Sequence, residues 1–316
     1  MKRQNRKNKR PINLTARDRA FLGRLGDFGL LSTEQVKYLY FPSLHRTRKR
    51  LLQLFRHGLV RRIERPTRLG EGSKTYLYRL SPRGARLISA STPRSYSGKG
   101  SHTLSPLYAE HQLAINRFRI CLELALRNCA ELTLESWRAD REVKLEVPGD
   151  SSREVCPPTL VPDGTFCLRA EGRSYTYLLE IDRATSPLSR LRAKILGYLR
   201  LFASSGRVGP IQGGRFRVLI VSSGTTRVGH LVGLIQALPA TIRRPDIFRL
   251  ASEHILDCDR PTLLLGTLWQ AVSADRTVLH GQPAFPSLRS SRQHQVNHQC
   301  AVQNPILDTG GHGPGG

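Results

Sequence analysis

Acidic residues are scarce in this 316-residue chain: 24 Asp and Glu stand against 50 Lys and Arg, a formal net charge of +26. A surplus of that size repels itself until a polyanion or an anionic surface meets it. Long apolar runs are missing as well. No stretch approaches the ~18 unbroken apolar residues of a membrane span, so no membrane partner is expected and nucleic acid is the stronger candidate. The basic opening MKRQNRKNKR leads into no apolar segment, which argues against a secretory leader and for a cytoplasmic protein. A single methionine excludes a Met-rich promiscuous binding surface. The cysteines at 121, 129, 156, 167, 258 and 300 include no CxxC spacing. Neither a zinc site nor a secreted disulfide framework is indicated, and reduced thiols are expected. His294, His298 and Cys300 lie in a stretch without helical patterning and read as tail composition, not as metal ligands.

The cations are spread unevenly. The first 100 residues hold 25 Lys/Arg against 5 Asp/Glu, and the other 216 hold 25 against 19. Such a concentration marks a dedicated electrostatic footprint in the first third of the chain. Its length corresponds to about two domains at ~150 residues each. Residues 1–11 form a basic arm without periodicity, expected to be disordered. A first helix is expected from Thr15 to about Leu25. Ser32 and Gln35 have capping-box spacing for a second, and Ser43 caps a third that ends near Gly58.

The third helix carries information about function. Leu44, Leu51, Leu54, Phe55 and Leu59 share one arc, and His45, Arg46, Lys49, Arg50, Gln53 and Arg56 fall on the other, with Arg48 beside them. No acid interrupts this polar arc, where an ordinary exposed helix interleaves Glu with Lys. The runs VRRIERP and KTYLYRL then read as two strands around a glycine-containing turn, and SPRGARLIS as a further helix. Three helices and a basic hairpin over residues 12–90 is the order of a winged helix-turn-helix. In that architecture the third helix enters the major groove and the wing rides the phosphate backbone. Candidate contacts to double-stranded DNA are therefore His45, Arg46, Arg48, Lys49, Arg50, Gln53 and Arg56 on the helix, with Arg68 and Lys74 on the wing. A protein-binding winged helix is the competing reading, and the acid-free face favours DNA.

Residues 91–105, rich in Ser, Gly and Thr, read as a linker. Residues 106–275 read as a second domain. It opens on a helix from about Leu107 to Arg127, followed by strands, one of them carrying Trp137. A helix at LSRLRAKILGYLRLF, a strand at FRVLIVSS, a helix near Val228–Leu238 and short strands near Ile247 and Leu263 complete it. Residues 276–316 read as a disordered tail. Within the second domain, Glu171-Gly172 fits a two-residue hairpin turn. Paired positions then sum to 343, so Asp163 lies opposite Glu180, and Asp182 shares their face. Phe166, Leu168, Tyr175, Tyr177 and Leu179 fall on the other face. Two opposed carboxylates repel each other, and a hard divalent cation relieves the repulsion, which makes Asp163 and Glu180 candidate metal ligands. Glu142 reads as an edge charge and His111 as a capping or packing residue. The loop GPIQGG at 209–214 lacks the Lys and Ser/Thr of a phosphate-binding loop.

Pro162-Asp163, a hairpin, and Glu180-Ile181-Asp182 on the next strand resemble the PD-(D/E)xK nuclease core, in which acids bind Mg²⁺ and a lysine helps to activate water. Over about residues 12–275, the winged helix followed by VPDG, LLEIDR and AKILGY resembles the replication-relaxation family of plasmid and mobile-element proteins. The resemblance implies an α+β or α/β chain, with an N-terminal winged helix-turn-helix followed by a restriction-endonuclease-like mixed-sheet domain. It implies a role in plasmid replication, DNA relaxation or conjugative mobilisation, with a relaxase or replication protein as partner. Asp182 stands where such a nuclease would carry its lysine. Lys194, one helical turn before Tyr198, is the substitute, and Arg183 is its rival. The implied catalytic set is Asp163, Glu180, Asp182 and Lys194, with Mg²⁺ or Mn²⁺ as the cofactor of a DNA nickase or endonuclease. The alternative is a non-catalytic DNA-binding accessory or transcriptional regulator that retains a degenerate nuclease fold for shape or grip.

Overall fold

Hydroxyl caps open the first helices. Thr15 and Asp18 bond reciprocally at the start of α1 (Ala16–Phe28), and Ser32 and Gln35 do the same for α2 (Thr33–Tyr40). Ser43 accepts the Arg46 N–H to cap α3 (Leu44–Arg56). α1 runs on past the expected Leu25, because Phe28 is buried and the chain leaves the helix only at Gly29, with φ +69°. β1 (Leu31–Ser32), β2 (Val60–Ile63) and β3 (Leu77–Leu80) form an antiparallel sheet in the order β1-β3-β2, and α4 (Pro82–Ser89) follows it. Phe21, Leu22, Leu25, Val36, Leu51 and Leu54 fill the space between these helices and the sheet. The computed structural model describes residues 12–65, 76–91, 94–96, 104–139, 142–148, 157–204, 216–239, 244 and 247–286. Arg68 and Lys74, the expected wing contacts, lie outside them.

α5 (Pro106–Leu126) serves two cores at once. Its Ile120 packs among the side chains of α1 to α4, and its Ala109 and Leu113 cover Leu30, Ile63 and Leu77. Phe118, Cys121 and Leu122 pack instead on a seven-stranded sheet. That sheet begins with β4 (Leu132–Ala139). A small antiparallel pair, β5 (Leu145–Glu146) and β6 (Thr159–Leu160), lies between it and the next strand in sequence. β7 (Gly164–Ala170), β8 (Arg173–Asp182), β9 (Phe216–Ser222), β10 (Phe248–Ser252), β11 (Trp269–Val272) and β12 (Val278–Gln282) complete it, in the order β12-β11-β10-β9-β8-β7-β4. β8, β9 and β10 are parallel, and the remaining pairs are antiparallel. The parallel crossovers run through α6 (Leu188–Ala203) and α7 (Thr225–Gln236), which cover one face, while α5 and a 3-10 turn at Pro261–Leu265 cover the other. The chain is α+β, with N-terminal helices followed by a mixed sheet, as expected.

The β7–β8 hairpin has the register read from the sequence. Every pair from Gly164↔Leu179 to Ala170↔Arg173 sums to 343. Glu171 and Gly172 both take positive φ, +48° and +75°, the geometry that a two-residue turn between right-twisted strands requires.

Two C-terminal expectations are corrected. Leu263 lies in the 3-10 turn, not in a strand. Pro261 opens that turn without an N–H to give to a ladder, and Leu264 is buried inside it. The sheet resumes at Trp269. Nor does packing stop at residue 275: β12 pairs with β11, and Phe285 is buried against Tyr177 and Trp269. The compact unit that holds every described residue ends at Pro286. The short, polar-flanked β12 lacks the alternation that would have signalled a strand.

Candidate functional site

Asp163 leads into β7 on the wall of a cleft of about 660 Å³, which His111, Glu180, Asp182, Arg183, Arg190 and Lys194 also line. The Asp163 N–H donates to Leu179 O at 2.9 Å, which carries the hairpin ladder one step further and brings Asp163 to Glu180. Gly164 is needed here because a Cβ would come within 2.8 Å of the Trp137 ring on β4. The glycine thus lets β7 run close under Trp137, directly behind the acid.

Glu180 is buried on the α6 face of the sheet, and its neighbours Leu179 and Ile181 enter the opposite core. α6 supplies its partners. Lys194 Nζ donates to both carboxylate oxygens, at 2.6 and 2.8 Å, and Tyr198, one turn on, donates its hydroxyl to Oε1. Burial pushes the Glu180 carboxyl up, and the nearby charge of Asp163 adds to that, while Lys194 opposes it. Burial also works against the Lys194 ammonium, but the charges of Glu180 and Asp163 hold it above its ordinary value. The same burial, with Glu180 behind it, raises the Tyr198 hydroxyl, which stays protonated as a donor.

Asp163 has two partners of its own. Its Oδ2 accepts the Ile181 N–H at 2.7 Å, and its Oδ1 lies 3.0 Å from His111 Nε2 on α5. The bond to Asp163 raises the affinity of His111 for a proton, against the effect of burial. Among the described residues no group of three or more His, Cys, Asp or Glu forms a metal cage. The donors nevertheless suit a hard cation: two like-charged oxygen ligands sit together, their repulsion is met by the Lys194 ammonium, and the cleft is open to water. Mg²⁺ or Mn²⁺ commonly takes only one or two carboxylates and completes its shell with water and phosphate oxygens.

Asp182 shares the β8 face and lines the same cleft, but its carboxylate takes other partners. Its carboxylate is bound by Arg227 Nε at 2.8 Å, Ser222 Oγ at 2.9 Å and the Ala184 N–H at 3.1 Å. It fastens the end of β8 to β9 and α7. Arg183, the rival for the lysine role, points its guanidinium at Glu110 O, whereas Lys194 lies on Glu180. Sequence reasoning gave Tyr198 no role of its own and read His111 as a capping or packing residue, whereas His111 stands inside α5 and reaches the Asp163 carboxylate. Nothing local to HQLAINRF announced its contact with Asp163, 52 positions away.

On α3, His45, Arg46, Arg48, Lys49, Gln53 and Arg56 are exposed, as the helical wheel predicts. Arg50 is the exception. Its guanidinium binds the buried Asp18 carboxylate, with Nε to Oδ1 at 2.9 Å, and reaches Asn13 O at 2.8 Å. It holds α3 to α1. The end of β2 lies close to the cleft: Arg65, just after it, pairs with Glu110 at 2.6 Å, and Glu110 immediately precedes His111.

No helix among the described residues is long and apolar enough to cross a membrane. Neither the curated proteins nor the solved structures contain a match to the chain. The family model described as replication-relaxation matches residues 22–218, a span that runs from α1 into β9 and includes α3, His111, Asp163, Glu180, Asp182, Lys194 and Tyr198. With more than half its length under that model, the chain belongs to the replication-relaxation family, whose role is in plasmid or mobile-element replication or relaxation.

Proposed function

We propose that the protein binds double-stranded DNA with the exposed face of α3, as a winged helix, and cuts one strand of it in the cleft as a divalent-metal-dependent nickase. The observation that carries this reading is the convergence of Asp163, Glu180 and Lys194, with His111, on one open cleft. A perturbed carboxylate and a lysine gathered in a cleft are the usual mark of a chemical site. Asp163 and Glu180 would hold Mg²⁺ or Mn²⁺, which when bound supplies charge to a phosphate oxygen and acidifies a water. His111 and the Ile181 N–H orient Asp163, and Tyr198 orients Glu180. The Lys194 ammonium, partly open to the cleft, donates to a non-bridging phosphate oxygen as negative charge builds there. Arg183 and Arg190 on the same wall attract the neighbouring phosphates. The ion pair between Arg65 and Glu110 ties the start of the wing to the helix that carries His111, so a duplex riding the wing passes near the cleft.

One observation favours a second reading, a non-catalytic DNA-binding accessory. Each oxygen of Asp163 and Glu180 already has a partner within the chain, so the cluster can hold the fold together without a cation. Supercoiled plasmid with Mg²⁺ or Mn²⁺ tests the choice. The nickase reading expects open circles from the wild type and none from Asp163→Ala, while both proteins shift the plasmid on a gel. If the wild type shifts DNA without nicking it in either metal, the accessory reading stands.

A further inference from the structure

Two thiols meet outside the cleft. Cys121 is buried on α5, and Cys258 is half-buried in the loop between β10 and the 3-10 turn at Pro261–Leu265. They stand 137 positions apart in sequence, yet their sulfurs are 3.3 Å apart. A disulfide needs ~2.0 Å, so a small approach of the two side chains is enough. Both thiols are reduced in this structure.

The loop around Cys258 is a strut between the two halves of the chain. Asp259 accepts the Tyr38 hydroxyl at 2.7 Å and lies 3.8 Å from Lys37 Nζ, both on α2. Asp257 in turn fixes the loop by accepting the N–H groups of Asp259 and Arg260. Cys258 itself packs against the core of the N-terminal helices and against the core under the large sheet.

We propose that Cys121 and Cys258 are an oxidation site, closed to a reversible disulfide by a peroxide, and that the bond locks the Asp257–Asp259 strut to α5. The two thiols have different parts to play. The contact with the Cys121 sulfur lowers the Cys258 thiol against the effect of burial, and Arg117 helps. The same contact, with burial, raises Cys121. Cys258, half-buried, is the thiol that peroxide reaches and is the nucleophile, and the buried Cys121 behind it is the resolving thiol. The Cys258 thiolate attacks one oxygen of hydrogen peroxide, the O–O bond breaks, and the departing hydroxide takes a proton to become water. The sulfenic acid left on Cys258 is attacked by the sulfur of Cys121, whose proton leaves with the expelled hydroxide as a second water. Two thiols lose two electrons, and one peroxide becomes two waters.

The full chain treated with a small excess of hydrogen peroxide tests this. The expected product is a monomer lighter by two hydrogens, with one cross-linked peptide pair containing Cys121 and Cys258. Its melting temperature is higher than that of the reduced protein and returns on addition of dithiothreitol, because closing so long a loop restricts the unfolded chain. Cys121→Ala should stop at a sulfenic acid on Cys258 that dimedone traps, and Cys258→Ser should form no cross-link. Cys129→Ser and Cys167→Ser should behave as wild type. These readouts are independent of DNA binding and of nicking. A cross-link that maps to other cysteines or joins two chains would overturn the site. A correct cross-link with no rise in melting temperature would overturn the lock.

Discussion

Single side chains in this protein owe their state to partners brought from distant sequence. Lys194 is the counter-charge of a buried carboxylate, so Lys194→Met should cost about 3 kcal/mol, the usual scale for stripping one partner from a buried ion pair. Glu180→Gln in the same background should recover part of that loss, because the amide carries no charge to leave unpaired. Urea melts of the two single variants and the double variant read the coupling directly. Asp18 gives a pH signature. Although burial pushes it up, bonds from Arg50 and Thr15 hold its folded pKa below the ordinary 3.8. Its contribution to stability is therefore fully present above 3.8 and is lost as pH falls through the depressed folded value. Asp18→Asn should melt lower than wild type at neutral pH, and the gap should narrow only as the pH falls below 3.8. A gap that closed near neutrality would show that another group is responsible.

At the level of elements, α3 divides its cations between two tasks. Arg46, Arg48 and Lys49 stand on the exposed face, whereas Arg50 is tied back to α1. Replacing Arg46, Arg48 and Lys49 by alanine should leave the melting temperature nearly unchanged and weaken binding to duplex DNA. The slope of log affinity against log salt should flatten by about 0.9 for each phosphate that is no longer neutralised. Arg50→Ala should do the reverse, lowering stability first and affinity only as folding fails. Gel shifts at several salt concentrations, set beside thermal melts, separate the two roles. The β7–β8 hairpin shows how an element aims a site. A turn of two positive-φ residues fixes the register, and the register alone brings Asp163 to Glu180. A slip of one residue would turn every side chain of the hairpin to the wrong face.

On the scale of the whole molecule, the N-terminal helices and the large sheet share α5 and the Cys258 loop. A fragment of residues 12–90 would leave Leu30, Ile63 and Leu77 without the Ala109 and Leu113 that cover them. It should unfold at lower denaturant than a fragment that continues through α5. The C-terminal edge matters in the same way. A chain ended at residue 275 lacks β12 and Phe285, whose ring packs 5.3 Å from Tyr177 and 6.4 Å from Trp269. It should melt several degrees below a chain ended at Pro286. Phe285→Ala in the full chain should account for about 3 kcal/mol of the loss, the usual scale for emptying a buried aromatic site.

Features set by a few neighbouring residues were legible in the sequence. The capping box at Ser32, the acid-free arc of α3 and the hairpin register that opposes Asp163 to Glu180 all depend on local spacing. Residue chemistry over such short spans fixes backbone geometry, because a cap, a two-residue turn or an amphipathic period acts within a turn or two of chain. The choice of ionic partner is of another kind. Arg50 finds Asp18 across 32 positions, Arg227 finds Asp182 across 45, and His111 finds Asp163 across 52. These acids could have met any of the chain's many cations, and pairing was settled by which side chains the packed helices and sheet brought within reach. Sequence therefore determined where the acids stand and which way they face. Tertiary structure alone decided that Glu180 would be matched by Lys194 and Tyr198, and that Asp182 would serve as a brace.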